Sequence, residues 1–177
     1  MTEVNKQNYK EVFTEYYEEF SDAIFRYCYF QTSNREKALD LTQDTFIKTW
    51  EYLGTADKED IKNIKAFLYK VARNLIIDYR RKKKSESLDN LQEKGFDLTS
   101  EESEIMIKEE QFEAKMAIES IEDLDRKYKE VIFMRFVEDM SVKEIAHILK
   151  KNENNISVMI HRGIDKLKDI LENKNGK

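Results

Sequence analysis

Residues 141–171 read SVKEIAHILKKNENNISVMIHRGIDKLKDIL, and this stretch contains the signals for two consecutive helices. Ser141 followed by Glu144 has the pattern of a capping box, and apolar residues then recur at helical spacing. The polar run 150–153 interrupts that spacing, and Asn152 within it is a favoured residue at the start of a helix. The stretch therefore predicts a helix-turn-helix.

The second helix of this pair separates apolar from polar side chains. Its apolar residues lie on one side, at Ile156, Ile160, Gly163, Ile164 and Leu167. The opposite side and the preceding turn carry a mostly polar set, namely Lys150, Lys151, Asn154, Ser157, Val158, His161, Arg162 and Asp165. A helix held in this way is shaped for the major groove of DNA. A plain helical hairpin is the alternative for this segment taken alone.

Composition indicates a small, mostly helical protein. The chain has 177 residues, no proline, four glycines and 38% charged residues, which suits one or two helical domains. It contains neither a run of about 18 apolar residues nor a basic-then-apolar leader, so we expect no membrane insertion, no signal peptide and a cytoplasmic location. No residues are arranged as a nucleophilic site or a phosphate cradle, so we expect no catalytic residues and no cofactor.

The single cysteine, Cys28, lies among aromatic residues in the sequence, which favours a packed thiol over a reactive one. One cysteine and two histidines cannot supply the usual ligands of a zinc site. We therefore expect no metal site.

Charge is unevenly distributed along the chain, although its net value is only −5. Between Lys58 and Lys84 there are ten basic and three acidic residues, whereas residues 85–110 hold nine acidic residues and two lysines. Such an acidic, serine-containing segment is typical of a linker. We therefore predict an N-terminal domain at 1–84, an acidic flexible linker at 85–111 and a C-terminal domain at 112–177.

Three helices are predicted in the N-terminal domain, at about 9–30, 33–53 and 64–84. The first is rich in aromatic residues for a core, including Tyr17, and the second opens with another capping-box pattern, Ser33 and Glu36. One arc of the second helix mixes apolar and polar residues: Leu39, Asp40, Gln43, Asp44, Ile47 and Trp50. A purely solvated surface would not need these apolar groups, so the arc resembles a protein-binding surface. A second layer of core around Trp50 is the alternative.

The third helix combines an apolar stripe with a basic face. The stripe consists of Ile64, Phe67, Leu68, Val71, Ala72, Leu75, Ile76 and Tyr79. The opposite face holds Lys65, Tyr69, Lys70, Arg73, Asn74, Ile77, Arg80, Arg81 and Lys84. An amide and an aromatic ring among basic groups suit a nucleic acid backbone with unpaired bases. An ordinary solvated charged face is the alternative.

Three blocks of the chain together resemble a known family. Residues 40–46 (DLTQDTF) and 66–81 (AFLYKVARNLIIDYRR) resemble the second conserved region of bacterial sigma factors, and residues 124–171 resemble the fourth. Two such domains joined by a short linker are similar to the extracytoplasmic-function (ECF) group of the sigma-seventy family. The resemblance implies an all-α, non-enzymatic initiation factor that binds core RNA polymerase and promoter DNA. A stand-alone helix-turn-helix regulator is the alternative function.

The resemblance also assigns roles to the surfaces. The arc at Leu39, Asp40, Gln43, Asp44, Ile47 and Trp50 would bind core polymerase, and the basic face of the third helix would bind the minus-ten element. The loop 54–63 would receive an unpaired base, the linker would thread through the polymerase, and the last helix would bind the minus-thirty-five element. Members of the group are often silenced by an anti-sigma factor, which makes such a protein a further candidate partner.

Several positions depart from the family pattern. The family commonly has basic residues where this chain has Ser157 and Met159, and a glycine and an apolar residue where it has Lys150 and Lys151. Gly163 stands where alanine is more usual, at a cost of about 1 kcal/mol in helix propensity. These departures bear on the promoter sequence that would be recognised.

Overall fold

The computed structural model describes residues 3–55, 61, 63–89, 121 and 123–175, and the regular elements in this part of the chain are α-helices. They are α1 (Glu3–Thr32), α2 (Arg35–Thr55), α3 (Ile64–Asp89), α4 (Arg126–Phe136), α5 (Val142–Leu149) and α6 (Glu153–Asn175). The predicted all-α class is confirmed. None of the described helices is long and apolar enough to cross a membrane.

The chain divides into two compact units. The N-terminal unit holds α1 to α3, and the C-terminal unit holds α4, the first part of α5 and α6. The helix α3 continues to Asp89, so the first residues of the predicted linker are helical. The remainder of that linker, from residue 90, lies outside the described residues.

The core of the N-terminal unit is contributed by all three of its helices. Its largest fully buried side chains include Ile24 and Tyr27 of α1 together with Leu68, Tyr69 and Ile76 of α3.

The helix α2 adds buried threonines to this core. Thr42, Thr45 and Thr49 each donate the side-chain hydroxyl to the backbone carbonyl four residues earlier, at 2.6 to 2.7 Å. Because these hydroxyls are satisfied within the helix, α2 can bury them without the cost of an unpaired polar group.

Burial also decides the state of the cysteine. Cys28 is fully buried, and burial raises the pKa of its thiol from 9.0 to about 12, against a smaller lowering by the side chain of Thr42. The predicted packed thiol is confirmed.

Asparagine side chains cap two helices in the N-terminal unit. The Asn34 side-chain oxygen accepts from the Lys37 backbone N–H at 2.7 Å, and Asn63 caps α3 in the same way through Ala66 at 2.9 Å. The predicted Ser33 cap is wrong because Ser33 has left-handed backbone geometry (φ 50°) and its N–H bonds back to the end of α1. The residue that caps α2 is therefore the next one, Asn34.

In the C-terminal unit, the predicted capping box is confirmed. The Ser141 backbone N–H and hydroxyl donate to the Glu144 carboxylate at 2.9 and 2.7 Å, and the Glu144 N–H donates to the Ser141 hydroxyl at 3.2 Å. Asn152 caps α6 as predicted, by accepting from the Asn155 N–H at 2.7 Å. These caps fix where α5 and α6 begin.

Close approach of α4 and α6 explains the glycine in α6. Gly163 is buried, and a Cβ added there would lie 2.7 and 2.9 Å from the Cγ1 and Cδ1 atoms of Ile132 in α4. These distances are shorter than van der Waals contact, so Ile132 occupies the space that an alanine methyl would need. Gly163 thus serves helix packing, at the expense of helix propensity.

Candidate polymerase and promoter interfaces

The predicted arc of α2 is a surface. All six of its residues are exposed, and the apolar ones among them are Leu39 (44% exposed), Ile47 (55%) and Trp50 (43%). The opposite side of α2, at Ala38, Leu41, Thr42, Thr45, Phe46 and Thr49, is buried. Apolar groups and carboxylates therefore lie side by side in solvent, which is the composition of a protein-binding surface.

An aromatic cluster of α1 and α2 supports this arc. The Trp50 ring meets the Phe13 ring edge to face, with centroids 4.9 Å apart, and Tyr17 meets Phe46 at the same distance. Packing on one side holds the indole in place while its other side stays exposed. Trp50 therefore has features of both alternatives offered by the sequence, a protein-binding surface and a second layer of core. A half-exposed aromatic side chain held in this way is typical of an interface anchor.

Tyr17 extends the apolar surface from α2 onto α1. The sequence prediction placed this residue in the core, but its side chain is 48% exposed. The aromatic spacing of α1 could not show which rings lie at the margin of the core. Sequence reasoning therefore missed Tyr17 of α1 as an addition to the exposed arc of α2.

The basic face of α3 is only partly exposed. Asn74 and Arg81 are exposed, whereas Lys65, Lys70 and Arg73 are half-buried. The prediction that Tyr69 lies on this face is wrong. Its side chain is fully buried, with its ring 5.2 Å from that of Tyr27 and its hydroxyl 3.5 Å from the carbonyl oxygen of Ala23. The buried side of α3 therefore includes Tyr69, and it is rotated around the helix axis relative to the apolar stripe that the sequence predicted.

Arg80 makes a contact within the fold that the sequence did not predict. Its guanidinium donates to the backbone carbonyl and to the side-chain oxygen of Gln31, in the last turn of α1. That turn contains no basic residue of its own, and a helix C-terminus has unsatisfied carbonyls and partial negative charge. Arg80 therefore caps α1, and its predicted contact with DNA stays a prediction.

A groove of about 510 Å³ separates α2 from α3 within the N-terminal unit. Its lining includes the aromatic pair Tyr52 and Phe67, whose ring centroids are 4.8 Å apart and whose planes are tilted by 37°, and the side chain of Asn74. Three residues of the apolar stripe, Phe67, Val71 and Leu75, are only half-buried because they face this groove. Of the predicted base-binding loop 54–63, residues 56–60 and 62 lie outside the described residues.

In the C-terminal unit, the predicted outer face of α6 is confirmed as exposed. Asn154, Val158, His161, Arg162 and Asp165 are exposed, and Ile156, Ile160 and Gly163 are buried on the opposite side.

The remaining residues of the predicted minus-thirty-five set differ in exposure. Ser157 is half-buried at the side of α6, with its hydroxyl donating to the Glu153 carbonyl at 3.0 Å. The turn residues Lys150 and Lys151 are both exposed. Lys150 has a left-handed backbone (φ 53°) at the position where the family tends to have glycine. The exposed set offers amide, imidazole, guanidinium and ammonium groups to a ligand outside α6.

Among the residues that the structure describes, no group of three or more histidine, cysteine or acidic side chains is placed to hold a metal ion.

Two family models match the chain. The model described as Sigma-70 region 2 matches residues 16–86, and the model described as Sigma-70, region 4 matches residues 115–167. Together they include the surfaces on α2 and α3 and the helix-turn-helix.

Sigma factors are also found among full-length relatives. The chain is 26% identical to the ECF RNA polymerase sigma factor SigW of Bacillus subtilis over 174 residues, covering 94% of this chain and 92% of SigW. It is 27% identical to SigM of the same organism, covering 88% of this chain and 93% of SigM. It is 26% identical to BldN of Streptomyces coelicolor, of which it spans 61%. These matches give the stand-alone regulator no support.

Solved structures show the same fold. The sigma factor RpoE in complex with the anti-sigma factor NepR from Bartonella quintana has a TM-score of 0.70 at 20% identity, covering 92% of this chain and 98% of that one. CnrH in complex with the cytosolic domain of CnrY has a TM-score of 0.66 at 20% identity, covering 92% of this chain and 89% of that one. With the matched regions 2 and 4 and the ECF relatives, the chain belongs to the ECF group of the sigma-70 family of RNA polymerase sigma factors.

Proposed function

We propose that this sigma factor divides its work between two domains, 1–84 and 112–177, joined by the acidic linker 85–111. The N-terminal domain binds core RNA polymerase and the minus-ten element, and the C-terminal domain binds the minus-thirty-five element. Sigma factors do not catalyse RNA synthesis, and we propose the same for this chain. It would act in the cytoplasm, where RNA polymerase works.

The exposed arc of α2 is the observation that carries the polymerase-binding role. Burying side chains such as Ile47 and Trp50 against a partner gains hydrophobic free energy, and the neighbouring carboxylates favour a basic partner surface. Asp40 and Asp44 are exposed acids of this arc, and Asp40 pairs with Lys37 at 3.2 Å in solvent. An exposed pair of this kind is weak enough to rearrange when a partner binds.

Contact with the minus-ten element is proposed for the side chains of α3 that remain toward solvent. This set is smaller than the sequence predicted, because the side chain of Tyr69 is buried in the core. It consists of Lys65, Lys70, Arg73, Asn74, Arg80 and Arg81. The groove beside Asn74, with its aromatic pair, has the chemistry to accept an unpaired base by stacking and hydrogen bonding.

Contact with the minus-thirty-five element is proposed for the outer face of α6 and the turn before it. The lysines of the turn would contact phosphates, and the exposed side chains of α6 would contact base edges. The proposed residues are Lys150, Lys151, Asn154, Ser157, Val158, His161 and Arg162.

An anti-sigma factor is a further proposed partner. RpoE, which shares the fold, was solved in complex with the anti-sigma factor NepR, and CnrH in complex with the cytosolic domain of CnrY. The exposed apolar groups of α2 are available to a competing partner in the free protein, so binding of an anti-sigma factor there would exclude core polymerase.

The polymerase-binding role is tested by removing two side chains from the arc. Asp40→Ala with Gln43→Ala is expected to weaken binding to purified core polymerase at least tenfold, which corresponds to about 1.4 kcal/mol. Both side chains are exposed, so helicity and thermal melting should stay nearly unchanged. Fluorescence titration of labelled protein with core polymerase measures the affinity.

A matched control removes more charge from the exposed side of α1. Glu15→Ala with Asp22→Ala leaves the α2 arc intact, so its affinity for core polymerase should stay within about twofold of wild type. Equal weakening by the two double variants would mean that general charge, and not the arc, determines binding. Loss of melting cooperativity in the α2 variant would instead place the arc in the core.

A further inference from the structure

Val158 is an apolar side chain in a polar neighbourhood. It is 46% exposed, and it is the single α6 residue among the large exposed hydrophobic side chains of the described chain. The other apolar residues of α6 behave differently, because Ile156 and Ile160 are buried and Ile164 is half-buried. Val158 therefore contributes little to the packing that holds α6 in place.

The neighbours of Val158 on the outer face are hydrogen-bonding groups. Asn154 lies one turn before it, and His161 and Arg162 lie one turn after it, with all three exposed. A lone valine surrounded by such groups does not form the contiguous apolar patch that a protein partner would cover. The composition instead matches the edges of DNA bases, since asparagine pairs with adenine and arginine with guanine in the major groove.

The largest apolar group that base edges display in the major groove is the 5-methyl group of thymine. An exposed valine on a helix that enters this groove gains its largest apolar contact from that methyl group, because the C–H groups of cytosine and the purines are smaller and the remaining edge groups are donors or acceptors. Valine is also stiff, since its side chain strongly prefers one rotamer in a helix. Its methyl groups are thus already positioned before DNA binds.

The structure also fixes the rotation of α6. The Asn152 cap sets its first residue, and the close approach of Gly163 to Ile132 sets which side faces α4. With the buried side fixed, Val158 lies on the outer side near the N-terminal end of the helix. That end of a recognition helix is the part that contacts base edges.

We propose that Val158 contacts the methyl group of a thymine in the minus-thirty-five element and thereby selects thymine at one position. This inference rests on the proposed function of α6 as the minus-thirty-five reader. It adds an apolar contact that determines specificity, and the hydrogen-bonding residues of the same face cannot supply such a contact.

The test uses holoenzyme assembled from the full chain and core polymerase. Holoenzyme first selects duplexes from a library that is randomised over the upstream promoter region. The selected duplex is then resynthesised with each thymine replaced in turn by deoxyuridine, which removes only the methyl group. One replacement is expected to weaken binding of the wild-type holoenzyme three- to tenfold, and the same replacement should change binding of the Val158→Ala holoenzyme less than twofold.

The comparison between variants separates a methyl contact from a change in DNA stiffness, because deoxyuridine alters the duplex equally for both proteins. Asp169→Ala, an exposed change about three turns further along α6, is the matched control and should keep the full deoxyuridine effect. A selected element without thymine, or a deoxyuridine effect that persists in Val158→Ala, would overturn the inference while leaving the proposed function intact. Selection of no upstream element would overturn both.

Discussion

Replacement of the two glycines in the described helices by alanine should change stability in opposite directions. At Gly163 the new methyl group would lie 2.7 Å from the Cγ1 atom of Ile132, and overpacking of this kind costs about 1 to 3 kcal/mol. Alanine improves helix propensity by about 1 kcal/mol. The net expectation for Gly163→Ala is a loss of roughly 1 kcal/mol. Gly54 in the last turn of α2 has no heavy atom within 4 Å of an added Cβ, so Gly54→Ala should gain up to about 1 kcal/mol.

Amide hydrogen exchange of the full chain measures each unit separately, because protection factors report the local free energy of opening. Gly163→Ala should lower protection in α4 and α6 about fivefold and leave α2 unchanged. A double-mutant cycle locates the cause. Ile132→Ala lowers protection by leaving a cavity, but it removes both clashing atoms, so adding Gly163→Ala to it should raise protection relative to Ile132→Ala alone. If Gly163→Ala alone protects α4 and α6 as well as wild type does, the packing explanation for this glycine is wrong.

Three further predictions concern single positions. Arg80→Ala should lower the stability of the N-terminal unit by about 1 to 3 kcal/mol through loss of its charge-assisted bonds to α1, whereas exposed Arg81→Ala should change it by less than about 0.5 kcal/mol. Urea unfolding followed by tryptophan fluorescence measures both, and equal losses would contradict the capping role. Lys150→Gly should relieve left-handed strain and raise the melting temperature relative to Lys151→Gly, and the reverse order would refute that strain. The pKa of the Cys28 thiol is about 12 in the folded protein and near 9.0 when unfolded, so the unfolded state loses its proton first. Stability should therefore fall as the pH rises above about 9, and Cys28→Ala should reduce this fall; an unchanged pH profile would contradict the buried thiol.

The most local sequence signals were the most reliable. The spacing of α2 predicted its exposed arc, because a single buried side leaves one clean division around the helix. The Ser141 and Glu144 capping box was also correct, since its bonds form entirely within four residues. The similar pattern at Ser33 failed because the end of α1 uses that residue, which local sequence does not reveal.

The misassigned residues of α3 depend on contacts distant in sequence. This helix packs against α1 through Tyr69 and borders the groove with α2 through Phe67, so apolar residues occur around much of its circumference. A helical wheel then cannot tell which apolar arc is the core. Arg80 illustrates the same limit, because its partner Gln31 is 49 residues away and the demand for a cation arises at the end of another helix.

Promoter-directed transcription tests the central claim most directly. Core RNA polymerase is incubated with fragmented bacterial DNA, with and without the purified chain, and the 5′ ends of the transcripts are mapped. The account predicts discrete start sites that appear only with the chain, share minus-ten and minus-thirty-five elements, and weaken with Asp40→Ala combined with Gln43→Ala. Transcripts identical to those made by core polymerase alone, although the chain is bound to it, would contradict the account.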